Sequence, residues 1–539
     1  MADMAPAIAQ IDAAIAARDM DRAVALAREA YGRGDHDPLV LNLTAYQLEL
    51  EDKLDEALVV LEQARNATPD DPFIWNSIGV CHSKADRPFE ALKAFNSALE
   101  LTPNFAHAHN GAGLALSALG DLDNAQRAQH AAADLDPTFP EPLGALAAMA
   151  AEAQDWPTAR GFAIRTLALE VNQPAASLAL ARVEIAEADP AAAADRLGAL
   201  IVAGRLTKMH LASAFSLRGD ALEALDRPED AMASYIAGNR ELRQVQVPAL
   251  NAPELGLDTA ERLLAYFESA PAAPWQAPPE SRQPGGEIGH VFLVGFARSG
   301  TTLLEQILAS HGDCVALEEK ATIDDTIVEF FQDNAGLDRF AALSEAEIQP
   351  WRERYWARVR EFGVEPAGKV FVDKLPMHTI YHPAIARLFP RAKVLLARRD
   401  PRDVVVSCFK HRFRPNRLVI EFTDLERTAR LYATAMQLAE VYASKFSLPV
   451  FIHRHEDLVA DLDTATQRIC EFIGVPWDAN MRNFVETANR RDIKTPSAGQ
   501  VRRGLNADGL ARWRAYGPSV DLIHPILAPW VTAFGYPET

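Results

Sequence analysis

Three things are scarce in this chain of 539 residues, and each scarcity narrows what it does. Cysteine is the first. Cys81, Cys314, Cys408 and Cys470 are widely scattered, form no C-x-x-C pair and have no histidine beside them at metal-ligand spacing. They read as reduced core thiols, with no metal site among them. Long apolar runs are the second. No segment approaches the ~20 residues of a membrane helix, and the opening MADMAPAIAQIDAAIAARDMDRA is charged throughout. Neither a signal peptide nor a membrane span is expected, and the cytoplasm is the default location. Positive charge is the third. The 54 Lys and Arg against 74 Asp and Glu give a formal net charge of -20, which disfavours a nucleic-acid or anionic-membrane partner. Any anion site has to be a local basic cluster in an acidic protein.

What is present is ordinary in amount and unusual in order. Hydrophobic residues make up 49% and charged residues 24%, values typical of globular chains, and the length exceeds one core, so two or more domains are expected. Ala23, Ala57, Ala91, Ala125 and Ala159 stand 34 apart, as do Ala30, Ala64, Ala98 and Ala132, Pro69, Pro103 and Pro137, and Gly79 and Gly113. In PFIWNSIGVCHSKADRPFEALKAFNSALELTP, one face of a first helix carries Trp75, Ile78, Gly79 and His82; a second carries Ala91, Phe95 and Ala98. Small residues let the pair cross closely and the terminal proline stops the second helix. This pattern resembles the tetratricopeptide repeat family over roughly residues 2 to 240. The sixth unit, around Ala193, reads as short and degenerate; Trp75, Phe95 and Tyr46 read as core. The resemblance implies a solenoid with a concave face for a protein or peptide partner, with a spacer or self-association role as the other reading. From Val247 to Gly289 the period fails, and SAPAAPWQAPPESRQPGGEIGH, after the helix LDTAERLLAYFES, reads as a linker.

Beyond it, the strand-length runs HVFLVG, KVFVDK, AKVLLAR and PVFIHR alternate with helical patterns. That order argues an α/β domain with a mainly parallel sheet, ligands sitting beyond the strands' carboxyl ends. VFLVGFARSGTTLLEQIL has the glycine spacing of a phosphate loop at Gly295 and Gly300, but Thr301 stands where the Walker lysine would be. Backbone N–H groups at the helix start would hold an anion, and Arg298 would supply the cation. Without that lysine and a clear magnesium aspartate, nucleoside triphosphate hydrolysis loses its main charge stabilisers. VLLARRDPRDVVVSCF places Arg398, Arg399 and Arg402 at a strand end, either a second anion site or a surface salt-bridge run.

As a pair, GFARSGTTLLEQIL and RRDPRDVVVSCF resemble the 5'-phosphosulfate loop and 3'-phosphate motif of sulfotransferases that use 3'-phosphoadenosine 5'-phosphosulfate (PAPS). The resemblance covers about residues 290 to 539, is nearest to bacterial tetratricopeptide-sulfotransferase fusions, and within the motifs is similar to tyrosylprotein sulfotransferases. It implies a P-loop-like sulfotransferase fold and the domain order 1–243 repeat array, 244–288 helix and linker, 289–539 sulfotransferase domain. The activity it implies is transfer of a sulfuryl group to an acceptor hydroxyl, leaving 3',5'-adenosine bisphosphate and using no metal. Glu319 carries over as base and Lys374 as the cation at the leaving phosphate, with Arg298 sharing that task. Arg298, Ser299, Gly300, Thr301 and Thr302 carry over to the phosphosulfate; Arg399, Ser407 and Arg512 to the phosphates; and Ser497, with Thr495, Gln500 and Arg502, to a segment closing over the donor. Glu318-Glu319-Lys320 as a solvated charge run, Lys374 as a surface partner of Asp373, and His378 as a competing base remain open. His455 departs from the family's aromatic adenine contact. An inactive repeat scaffold and a P-loop kinase are the alternative functions, and the acceptor is a protein tyrosine, a carbohydrate or a small molecule.

Overall fold

The computed structural model describes residues 5–204, 206–275, 286–491, 493, 495 and 497–538. Most of the Pro/Gly-rich linker expected from the sequence, 276–285, lies outside them. The chain forms two compact units, Met1–Leu225 and Asp226–Thr539.

In the first unit helices pair along the chain as a repeat solenoid. First helices such as Pro38–Leu50 and Pro72–Lys84 have 13 residues, and second helices such as Leu54–Ala67 and Pro88–Leu101 have 14. Local chemistry sets their starts. Asp37, Asp71, Asp121, Asp155 and Asp189 accept from first-turn N–H groups, and proline occupies the first turn at Pro38, Pro72, Pro140 and Pro174. Within each helix pair the turning residue is left-handed, at Arg18, Asp52, Asp86, Gly120, Gln154 and Ala188. Ala23, Ala57, Ala91, Ala125, Ala159 and Ala193 are fully buried where the helices cross. One phenyl ring shows how little room there is: a Cβ on Gly79 would lie 2.6 Å from the Phe95 ring, and one on Gly111 2.4 Å from it.

Two expectations fail here. The sixth unit is not short: Pro174–Ala186 and Pro190–Ala203 keep the 13 and 14 residues of the others, because alanine crossings and caps suffice where the larger consensus residues are lost. Tyr46 is not core but 41% exposed. Leu41 and Ala45 take the inward face of its helix, and Tyr46 borders a surface hollow with Met20, Arg28 and Leu50.

The second unit runs from Asp226. Its first helix, Pro228–Leu250, is tied down by Asn239, which donates to the Phe409 carbonyl at 2.8 Å, and by Arg243, which donates to that of Ile420 at 3.1 Å. Gly256–Ser269 follows, burying Leu257, Leu263 and Phe267, and packs against Leu425–Lys445. Five parallel strands come next: β1 Gly289–Gly295, β2 Cys314–Glu318, β3 Val370–Lys374, β4 Lys393–Arg398 and β5 Val450–Arg454, in the order β2-β3-β1-β4-β5. Strand β2 is an addition to the sequence reading. On one face Val291, Leu293, Val372 and Leu395 meet Leu304 and Ile307 of the helix Thr301–Ala309. Because the strands are parallel, Gly295, Glu318, Lys374 and Arg398 all end at one edge, with Glu318 beside Lys374 and Gly295 beside Ala397.

Candidate active site

The loop leaving β1 is shaped by close backbone approaches. A Cβ on Gly295 would lie 2.7 Å from the Ala397 carbonyl, so the two strands converge there only with glycine. Arg298 (φ 68°) and Gly300 (φ 93°) are left-handed, and a Cβ on Gly300 would lie 2.6 Å from Nδ1 of His455. Ser299 bonds back to the Phe296 carbonyl through N at 3.2 Å and Oγ at 2.7 Å, and Thr379 donates to the Gly295 carbonyl at 2.7 Å. The N–H groups of Arg298, Gly300, Thr301 and Thr302 have no protein acceptor among the described residues. They form a small electropositive nest at a helix start, a shape suited to a phosphate or sulfate group. Thr301 is buried, and Thr302 Oγ1 pairs with Thr495 Oγ1 at 3.3 Å.

The loop leaving β4 meets this nest directly. Asp400 caps Pro401–Lys410, and Arg399 Nη1 donates to the Arg298 carbonyl at 3.2 Å. Arg399 also donates to Gly509, while its buried Nε has no protein acceptor among the described residues. Arg298 donates to Ser407 Oγ through Nε at 2.9 Å, to Ser497 Oγ, and to Gln500 Oε1 at 2.9 Å. Burial pulls its guanidinium down to about 10. The other two arginines of the expected basic triplet do not join. Arg402 is paired to both oxygens of Asp400, lies 4.0 Å over Trp513 and donates to the carbonyls of Pro537 and Glu538. Arg398 lies 4.1 Å over Phe534. The C-terminal segment claims both, and the anion-facing set reduces to Arg399 with Ser407. Arg512 is exposed beside this loop's partner: Asp403 accepts from Ala511 N at 2.7 Å and Trp513 N at 3.0 Å.

At the ends of β2 and β3 the charges are buried. Alternation along β3 sends neighbours to opposite faces, so Asp373 and Lys374 do not pair. Asp373 accepts from Thr322 at 2.7 Å and Tyr355 at 2.8 Å, and burial raises its carboxyl to about 6. Lys374 is fully buried, 2.7 Å from Glu319, 3.6 Å from Glu305 and 3.9 Å from Glu318. Burial raises the Glu318 carboxyl. Glu319 is held left-handed (φ 39°), its N–H donating to the Lys374 carbonyl at 2.8 Å, which fixes its backbone beside Lys374. Arg491 completes the cluster, bonding Glu305 at 2.7 Å and the Ala316 carbonyl at 2.9 Å. Glu305 and Arg491 are absent from the sequence reading. A signal for Glu305 was available, as the one charged residue in the helix TTLLEQILA. His378 is buried, and burial pushes its imidazole down to about 3, which argues against a base that must take a proton near neutrality.

The phosphate loop and the end of β2 open on one cleft of about 780 Å³, bordered by Arg298, Gly300, Thr302, Glu319, His378 and Ser497, while Arg399, Ser407 and Lys374 lie outside its lining. The N–H nest, the orphaned Arg399 Nε and the orphaned Nδ1 of His455 offer donors and acceptors for a phosphorylated nucleotide, so these residues fit the expected donor. Residues 290–479 match the model of the sulfotransferase family. An uncharacterised protein of Aquifex aeolicus is 26% identical over 42% of this chain, the match spanning 30% of that protein. Protein-tyrosine sulfotransferase A of Caenorhabditis elegans is 25% identical over 46% of this chain and 67% of its own. Among solved structures, a tetratricopeptide repeat protein from Parabacteroides merdae is 14% identical, covering 44% of this chain and 93% of its own with a TM-score of 0.34. The match to the sulfotransferase family model thus lies wholly within the second unit, and the first unit is an array of paired helices.

Proposed function

We propose that the protein is a PAPS-dependent sulfotransferase that moves the sulfuryl group to an acceptor hydroxyl. The observation that supports this most is the 3.2 Å bond from Arg399 to the Arg298 carbonyl, which brings the two anion-binding loops together beside the cleft that Arg298 and Glu319 border. The N–H groups of Arg298, Gly300, Thr301 and Thr302, with Ser299 setting the loop, would hold the 5' end. Arg399 and Ser407, with Arg512, would hold the 3'-phosphate, and Ser497 would close over them through Arg298. The donor supplies the sulfuryl group. Transfer forms a bond from the acceptor oxygen to sulfur and breaks the bridge bond, so a base and a cation on opposite sides assist it.

Glu319 takes the acceptor proton and Lys374 faces the leaving oxygen. Their 2.7 Å pairing makes the two events dependent on each other: Lys374 must exchange Glu319 for the leaving oxygen, and that exchange frees the carboxylate. Glu305 and Glu318, 3.6 Å and 3.9 Å from Lys374, hold its Nζ in place. The similarity to protein-tyrosine sulfotransferases makes a protein tyrosine the first acceptor to test, with the repeat array recruiting the protein or peptide that carries it. The four buried, unpaired thiols fit a reducing compartment such as the cytoplasm.

Calorimetry with 3',5'-adenosine bisphosphate and transfer of labelled sulfate from PAPS into a cell lysate test the reading. Tight nucleotide binding and a labelled product are expected. With Glu319→Gln, transfer falls by about 10²-fold or more while nucleotide binding stays within about twofold. No binding, or full activity in that variant, overturns the assignment.

A further inference from the structure

One side chain of the cleft is left over by this account. His378 sits in the short turn Pro376–Thr379 that follows β3, four residues past Lys374. The turn is anchored, because Thr379 bonds the Gly295 carbonyl at the base of the phosphate loop. The imidazole is 2% exposed, borders the cleft, and neither Nδ1 nor Nε2 has a hydrogen-bond partner among the described residues. Of the other polar groups there, Glu319 pairs with Lys374, Thr302 with Thr495 and Asn416 with the N–H of Leu418, and Arg262 bonds Glu254 and the Phe331 carbonyl while its Nη1 stays without a partner among the described residues. Buried polar groups are almost always paired, and a doubly unpaired imidazole facing a cavity is most simply one that pairs with something entering it.

The same cleft carries Leu375, Met377, Phe331, Tyr381, Ile327 and Leu418. The Phe331 and Tyr381 rings meet edge to face at 5.7 Å. We propose that His378 is an acceptor-binding residue, which receives the hydrogen-bonding group of an acceptor whose body is apolar and rests against this wall. The proposal rests on the sulfotransferase reading for the term acceptor. A neutral imidazole offers one N–H and one lone pair, the complement of a hydroxyl, which both donates and accepts. Burial keeps this ring neutral across the working range. A sugar would set several hydroxyls against this apolar wall, each losing its water without replacement. The acceptor class that fits is a compact aromatic or apolar alcohol with one hydroxyl.

The test needs no turnover. 2-Naphthol and naphthalene, which differ by one hydroxyl, are titrated into the full chain with and without saturating 3',5'-adenosine bisphosphate. Wild type is expected to bind naphthol more tightly. His378→Phe should weaken naphthol about fivefold to tenfold, leave naphthalene within about twofold and leave nucleotide binding unchanged. His378→Gln, which restores a donor and an acceptor, should recover most of the loss. In ¹⁵N-histidine spectra of the wild type, naphthol should shift both His378 nitrogens and naphthalene should not, which decides the matter even if a variant fails to fold. Equal losses for both probes, no loss for either, or no binding of either to wild type overturns the role. Failure of the chain to bind the nucleotide counts instead against the sulfotransferase reading, and the ratio between probes still judges His378.

Discussion

In the array, the crossing positions Ala23, Ala57, Ala91, Ala125, Ala159 and Ala193 have no exposed surface and no polar atom to satisfy; in the second unit Lys374, Glu305 and Asp373 are just as inaccessible and are all ionisable. Each repeat closes its contacts with the helices beside it in sequence. The second unit closes its contacts across the chain, with Arg298 bonding Ser407 and Ser497, and Arg491 bonding Glu305. A fold made of neighbour contacts can lose one and keep the rest. A buried charge cluster has no such tolerance, because removing one member leaves another uncompensated. The scaffold is therefore assembled from interchangeable parts and the site from irreplaceable ones, and substitutions can show whether that contrast is real.

The largest effect is expected from Lys374→Met. It strands Glu305, Glu318 and Glu319 with Arg491 as the remaining cation, and breaking a buried pair from one side costs about 3–5 kcal/mol. Hydrogen exchange read by peptide should show that loss throughout 226–539 and none in the array. A loss under about 1 kcal/mol would mean that the carboxylates simply take up protons and the cluster is softer than its geometry suggests.

Gly111→Ala probes the other side at a smaller scale. The added methyl would lie 2.4 Å from the Phe95 ring, whose same edge already abuts Gly79, and overpacking of this kind costs about 1–3 kcal/mol. The same exchange experiment should confine the loosening to Pro72–Ala118, leaving Pro174–Ala203 unchanged. Loosening of the entire array would remove the distinction between local and cooperative units.

How much of this could be read from the sequence follows the same division. The array was legible because each contact is written again 34 residues later, and the phosphate loop was legible because left-handed glycine and a helix start are local facts. Tyr46 was misplaced because on a helix one residue turns the side chain by about 100°, from the face of Ala45 to the open one. Strand β2 was overlooked because CVALE is short and its neighbour β3 lies 52 residues further on. Arg398 and Arg402 were grouped with Arg399 by position alone, while Phe534 and Trp513, more than 100 residues away, decide where they point. Arg491 reaches Glu305 across 186 residues, and no periodicity records such a pairing. The local grammar is sufficient for the scaffold and stops at the charge cluster, whose members are defined by one another.

Acid offers the mildest way to separate the two units. In the second, burial lowers His290, His378 and His455 to about 3 and His382 and His453 to about 4. An unfolded histidine titrates near ~6.5, so below that pH the unfolded chain binds protons that the folded one refuses. Stability from these groups is complete above pH 6.5 and drains away as pH falls toward 4. Asp373 opposes them, since a carboxyl raised to about 6 takes its proton first in the folded state and returns stability as pH falls below 6; Glu318 and Asp403 are raised too. Glu287 and Asp324 are raised as well, so five carboxyls stand against five histidines; each histidine falls further, from 6.5 to about 3 or 4, than Asp373 rises, and a net loss remains. In the array His82 and His210 are lowered, and its shifted carboxyls, Glu51, Asp121 and Asp136, are lowered from values of 4.5 or less, so their contribution survives until more acid pH. Six of the eight tryptophans lie in the second unit, so their fluorescence should report its unfolding between pH 6 and 4 while exchange still protects the repeats. His382→Phe, which keeps the ring beside Phe446 and removes a titrating group, should move that midpoint down by a few tenths of a pH unit. A midpoint shared by both units, and unmoved by the variant, would show that the buried histidines do not govern the acid response.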